Sequence, residues 1–158
     1  MALYVTRFAE SPYFLKLTTL FFTLTTFISL TGGPPLPGSS SLIWFTVVVA
    51  LIVDAILIVI LLFELDRFQV LVRGITFNAL ECATSLTLSI FYFISIWLCF
   101  NGKEFAKSGW FYLAALACFV NFVLYAVDFV IYLRYWMADR RAARAEAAAY
   151  EYQSYSSP

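Results

Sequence analysis

The run from Leu42 to Phe63, LIWFTVVVALIVDAILIVILLF, decides the fold. A helix crosses a bilayer with about 20 mainly apolar residues, and 17 of these positions are Leu, Ile, Val or Phe. Each of them contributes about 0.3 to 0.6 kcal/mol to insertion, whereas an aspartate at the helix centre, here Asp54, costs about 3. Insertion wins by a clear margin. Working outward, three further stretches are long and apolar enough: Phe14 to Leu30, Ile75 to Phe100 and Gly109 to Trp136. The sequence therefore predicts an all-α membrane protein, a four-helix transmembrane bundle running up-down-up-down. Connections of about ten residues force neighbouring helices to be antiparallel.

Composition agrees. The 158 residues are 63% hydrophobic and only 13% charged, with mean hydropathy +0.85, where a water-soluble domain holds about a quarter charged residues. Ten Lys plus Arg balance ten Asp plus Glu, so no global field favours nucleic acid. Histidine is absent, which removes His-dependent triads, haem ligation by His and His-containing zinc sites. Cys82, Cys99 and Cys118 lie inside apolar runs without CxxC spacing, as buried small hydrophobes do. No cofactor is expected. The Gly- and Pro-rich segment after the first span (Gly32, Gly33, Pro34, Pro35, Pro37, Gly38) lacks a small-x-small cleavage pattern, so that span is read as a mature helix.

Orientation follows the cations, because Lys and Arg near span ends stay in the cytosol. Arg7, Lys16, Arg67, Arg73, Arg134, Arg140, Arg141 and Arg144 fall on one side, and only Lys103 and Lys107 on the other. Both termini are thus expected to be cytosolic. Trp44, Trp110 and Trp136 near span ends fit interfacial belts.

Residues 1–138 form the four-span unit, and 139–158 a cytosolic extension and tail. The segment from Asp139 to Ala149 is built of strong helix formers and should prolong the last span. The residues from Tyr150 onward are expected to fray. Arg134, Arg140, Arg141 and Arg144 make a basic cluster that either anchors topology or meets anionic lipid heads at about 1 kcal/mol each. Tyr150, Tyr152 and Tyr155 lack an apolar residue three positions later, as tyrosine-based sorting signals would require.

Ionisable groups at membrane depth face the bundle interior, where partners exist. At helical spacing, the first span lines up Lys16, Thr19, Thr23 and Thr26. The third lines up Asn78, Glu81, Ser85, Ser89, Tyr92 and Ser95, and the fourth Asn121, Tyr125, Asp128 and Tyr132. Lys16, Glu81 and Asp128 fall at similar depth, with Asp54 deeper. An intramembrane polar network of Lys16, Asp54, Asn78, Glu81, Asn121 and Asp128 is expected. Three acids against one lysine leave surplus negative charge, so at least one carboxyl, first of all Asp54, is expected to be protonated. Interhelical hydrogen bonding and a proton or cation pathway both remain open for this set.

No GxSxG, HExxH, P-loop or GxGxxG motif occurs. Arg73 with Asn78-Ala-Leu-Glu81 is similar to a pattern of the small four-helix membrane glutathione transferases. However, that family's preceding Glu-Arg pair is missing, the Arg-to-Asn spacing is off by one, and the pattern sits on the third span instead of the second. An enzyme is not expected.

Several pieces carry a different likeness: Leu65-Asp66-Arg67 after the second span, Asn78-Ala-Leu-Glu81 opening the third, and Leu124-Tyr125-Ala-Val-Asp128 followed by Arg134. With four spans and these pieces, the chain resembles the MARVEL-domain family of four-span membrane proteins, nearest to its chemokine-like-factor, MAL and proteolipid protein 2 branches. The long cysteine-bearing loops of its occludin and synaptophysin branches are missing. The resemblance implies a non-enzymatic organiser of the plasma membrane or of endosomal and secretory vesicles. Such a protein acts in vesicle trafficking or membrane apposition. It binds membrane lipids, other integral membrane proteins through lateral helix contacts, or a second copy of itself. Phe91, Phe93, Phe119, Phe122 and Phe129 are candidates for one lateral docking surface, or simply for lipid contact.

Overall fold

The computed structural model describes residues 13–34, 40–63, 76–105 and 109–156. These form four helices: α1 (Tyr13–Gly32), α2 (Ser40–Leu62), α3 (Phe77–Phe105) and α4 (Gly109–Ser156). Arg7, Arg67, Arg73, Lys107, the Leu65-Asp66-Arg67 motif and most of the proline-rich connection lie outside the described residues.

Local chemistry explains the boundaries. In hydrocarbon every backbone polar group must be satisfied within its own segment, which enforces helix even where β-branched residues are frequent. The threonines of α1 comply. Thr23 and Thr26 donate their hydroxyls to the carbonyls four residues back, at 2.8 and 2.9 Å, and Ser29 does the same at 2.7 Å. α1 stops at Gly32, followed by Gly33 and Pro34, a small-residue end and a helix breaker. A Cβ on Gly32 would sit 3.2 Å from the indole of Trp110, so the absence of a side chain there lets α4 begin close against the end of α1. Thr76 caps α3, its Oγ1 accepting from the Ala79 amide at 3.3 Å.

Cross-helix contacts set the register. Lys16 reaches Glu81 and Thr23 reaches Tyr92, so α1 and α3 run parallel. Lys16 also reaches Asp128, and Asn121 reaches Thr23, so α4 is antiparallel to α1. Phe27 meets Trp44 edge-on at 5.5 Å, which makes α2 antiparallel to α1. The up-down-up-down order follows. Helices adjacent in the ring α1–α2–α3–α4 pack directly, α3 most closely on α4, while side chains bridge the diagonals.

The bundle is inverted relative to a soluble domain. Buried positions include Lys16, Thr19, Thr23, Asp54, Glu81, Ser85, Asn121 and Asp128, whereas Phe21, Ile28, Ile56, Trp97, Leu116 and Phe119 lie exposed. A soluble chain does not present so much contiguous apolar surface to water. All four helices are long and apolar enough to cross a membrane. The chain is an integral, multi-pass membrane protein.

Two expectations need correction. The residues from Tyr150 do not fray at once: α4 continues unbroken to Ser156, because adding residues to an established helix is far easier than starting one. The third helix also runs beyond Phe100, to Phe105.

Candidate functional site

The charged side chains converge near the end of the bundle where α1 and α3 begin. Lys16 lies three residues into α1, and Glu81 four residues into α3. Asp54 is eight residues before the end of α2. Lys16 is 1% exposed, and Asp54, Glu81 and Asp128 are 0% exposed.

Lys16 Nζ donates to Glu81 Oε2 at 2.7 Å and to Asp128 Oδ2 at 2.5 Å, tying α1 to α3 and α4. Asp128 Oδ2 also accepts from Ser85 Oγ at 2.8 Å. The ammonium lies 5.5 Å from the ring centre of Tyr132, whose electron-rich face favours a cation. Asp54 enters from α2 through Tyr125, whose hydroxyl donates to Asp54 Oδ2 at 2.8 Å. The second oxygens, Asp54 Oδ1, Glu81 Oε1 and Asp128 Oδ1, are enclosed and have no hydrogen-bond partner among the described residues.

A second polar layer lies deeper. Tyr92 stacks on Tyr125 at 5.6 Å with 16° between the planes, and its hydroxyl meets Thr23 Oγ1 at 2.9 Å. The Asn121 amide, in the orientation that suits its surroundings, faces the Thr23 and Tyr92 hydroxyls at 3.1 and 3.3 Å with its oxygen. Its nitrogen then donates to the Thr19 carbonyl at 3.3 Å. Beyond this layer the core turns apolar: Leu30, Ile43, Val47, Phe111, Ala114 and Cys118 fill it.

Of the six expected network residues, Lys16, Glu81 and Asp128 form one cluster, and Asp54 joins through Tyr125. Asn121 belongs to the deeper layer. Asn78 belongs to neither: it donates to Asp139 Oδ2 at 2.7 Å, beside the exposed extension of α4. Its register put it on the inward stripe, but at the start of α3 that stripe has already reached the rim. Tyr125 and Ser85 stood on the inward stripes without being singled out. Their signal was position: Tyr125 is three residues before Asp128, and Ser85 four after Glu81.

Arg134, Arg140, Arg141 and Arg144 are all exposed. Arg140 stacks over Trp136 at 4.5 Å, and Trp136, Met137, Arg140, Arg141 and Arg144 line a groove along the extension. The five phenylalanines do not form one surface. Phe93, Phe119 and Phe122 line an outward groove with Trp97, Phe91 turns to Phe45 of α2 at 6.0 Å, and Phe129 packs in the core near the charged end. Cys82, Cys99 and Cys118 are buried free thiols. Among the described residues no group of His, Cys, Asp and Glu has the arrangement of a metal site.

No protein-family model, curated protein or solved structure matches this chain.

Proposed function

We propose that this chain is a MARVEL-like membrane organiser that binds lipids and other integral membrane proteins laterally, or a second copy of itself, without catalysing a reaction. The observation that carries the reading is the segregation of chemistry. Its intramembrane charges are engaged with one another inside the bundle, and the outer walls are left apolar. What a neighbour can touch is a set of greasy helix faces and the basic extension of α4. Both termini lie in the cytosol on this reading, with the arginines at the base of the α4 extension at the level of the anionic headgroups. The plasma membrane or endosomal and secretory vesicles are its setting, where it influences trafficking or membrane apposition.

A conducting pathway gains less support. The Thr23, Thr26, Ser29 and Ser95 hydroxyls are each bonded to their own helix backbone, and the far half of the core is filled by apolar side chains. A glutathione-dependent enzyme gains less still, because Glu81 is committed to Lys16. Photo-crosslinkers placed at Trp97 and Leu116 in native membranes test the proposal. Stoichiometric adducts to a membrane protein, to a lipid or to a second copy are expected, and recovery of unmodified monomer from both positions overturns it. Tags at the two ends should be reached from the same face of sealed vesicles.

A further inference from the structure

We propose that the Lys16–Glu81–Asp128–Asp54 cluster is a proton-binding site that holds two protons, one on Glu81 and one on Asp54. Three carboxyl groups and one ammonium occupy one enclosed region, with Lys16 bonded to two of the acids. Asp54 lies within electrostatic range of both Lys16 and Asp128, and Glu81 within range of Asp54. Fully ionised, the set carries a net charge of minus two in hydrocarbon, where an uncompensated charge is costly.

The hydrogen bonds then say where neutralisation falls. Asp128 Oδ2 accepts from both Lys16 and Ser85, the richest donor set of the three, and suits the ionised form. Among the described residues Glu81 has Lys16 as its donor, and Asp54 has only neutral hydroxyls, Tyr125 and Thr19. All three acids leave one oxygen enclosed without a partner among the described residues, and only Asp128 offsets this with two donors, one of them charged, on its other oxygen. An anionic oxygen in that position forfeits its solvation with nothing in return, whereas a hydroxyl there loses only one weak partner. A proton also requires no coordination shell.

Every helix presents groups to the site. α1 contributes Lys16, α2 Asp54, α3 Glu81 and Tyr92, and α4 Asp128, Tyr125 and Tyr132. Among the described residues Lys16 is their one cation. Each proton is taken up from water as carboxylate becomes carboxylic acid, and no other bond changes. The site lies toward the end where α1 and α3 begin, and the apolar half of the core separates it from the other end.

Infrared spectroscopy of the full chain in lipid nanodiscs tests the proposal, because a protonated carboxyl has a carbonyl stretch distinct from those of carboxylate and amide. At neutral pH an acid band is expected that shifts on deuteration. Asp54→Asn and Glu81→Gln should each lower its intensity to about half, since one proton of two is removed. Lys16→Gln should raise it by about half, since the third acid is then neutralised too. Asp139→Asn, at the exposed rim, should leave it unchanged. The proposal is overturned if wild type shows no acid band at neutral pH, or if the band is indifferent to both Asp54→Asn and Glu81→Gln. It is equally overturned if the band emerges only after sodium and potassium are removed, because a metal cation then balances the charge.

Discussion

Replacing Lys16 by methionine removes the cation that, among the described residues, holds α1 to α3 and α4. The side chain keeps nearly the same length and apolar stem, so packing changes little. Two interhelical hydrogen bonds disappear, at 2.7 and 2.5 Å. In membranes each contributes about 0.6 to 2 kcal/mol, so the bonds alone account for about 1 to 4. Asp128 then loses its counter-charge, and Glu81 loses the donor to its Oε2. Removing one partner of a buried pair costs about 3 to 5 kcal/mol in total, which is the loss expected for Lys16→Met. The assay is equilibrium unfolding in mixed micelles with increasing sodium dodecyl sulfate, followed by circular dichroism. The triple variant Lys16→Met, Glu81→Gln, Asp128→Asn should recover much of that loss, because no charge is stranded. A change within about 0.5 kcal/mol for Lys16→Met, the range of an exposed substitution, would refute the reasoning.

Three other outcomes follow from the same structure. Tyr125→Phe deletes the hydroxyl that links α2 to the diagonal helix, and should cost about 1 to 3 kcal/mol, with hydrogen exchange in α2 accelerating more than in α3. Gly32→Leu drives a side chain into the Trp110 indole, whose ring atoms stand 3.2 Å from the first added carbon. It should shift Trp110 fluorescence and cost about 1 to 3 kcal/mol, and an unchanged spectrum counts against the packing described. Reversing Arg140, Arg141 and Arg144 to glutamate should draw the base of the α4 extension away from the headgroups of nanodiscs containing anionic lipid, weakening that contact by about 1 kcal/mol per arginine removed. Spin-label depth at Ala147→Cys reads this, and equal depth in wild type and variant is the contrary result.

Much of the architecture could be read from the chain because the membrane simplifies the problem. Apolar length alone delimits the spans, and the inward face of α1 is marked by Lys16, Thr19, Thr23 and Thr26 at helical spacing against an otherwise apolar background. α2 offered no such mark. Past its first turn only Thr46 and Asp54 are polar, so its inward face is thinly marked, and the partner of Asp54, Tyr125, emerges only once the diagonal distance is known. Asn78 was expected among the network residues and instead bonds Asp139, because periodicity tells which side of a helix a residue occupies and not which partner it meets at that height. The persistence of α4 through Tyr150 was hidden because its last residues have middling helix propensity, which matters little once a long helix precedes them.

The fourth helix has 48 residues, about 72 Å at 1.5 Å per residue, more than twice the thickness of a hydrocarbon core. From Trp110 to Ser156 it contains neither glycine nor proline, the usual sites of a kink. Roughly its last third therefore projects as a stiff lever into water. Anything that grips this handle and swings or twists it will turn Asp128 and Asn121 with it, because no hinge lies between. A load applied outside the bilayer is thus delivered mechanically to the charged groups within it.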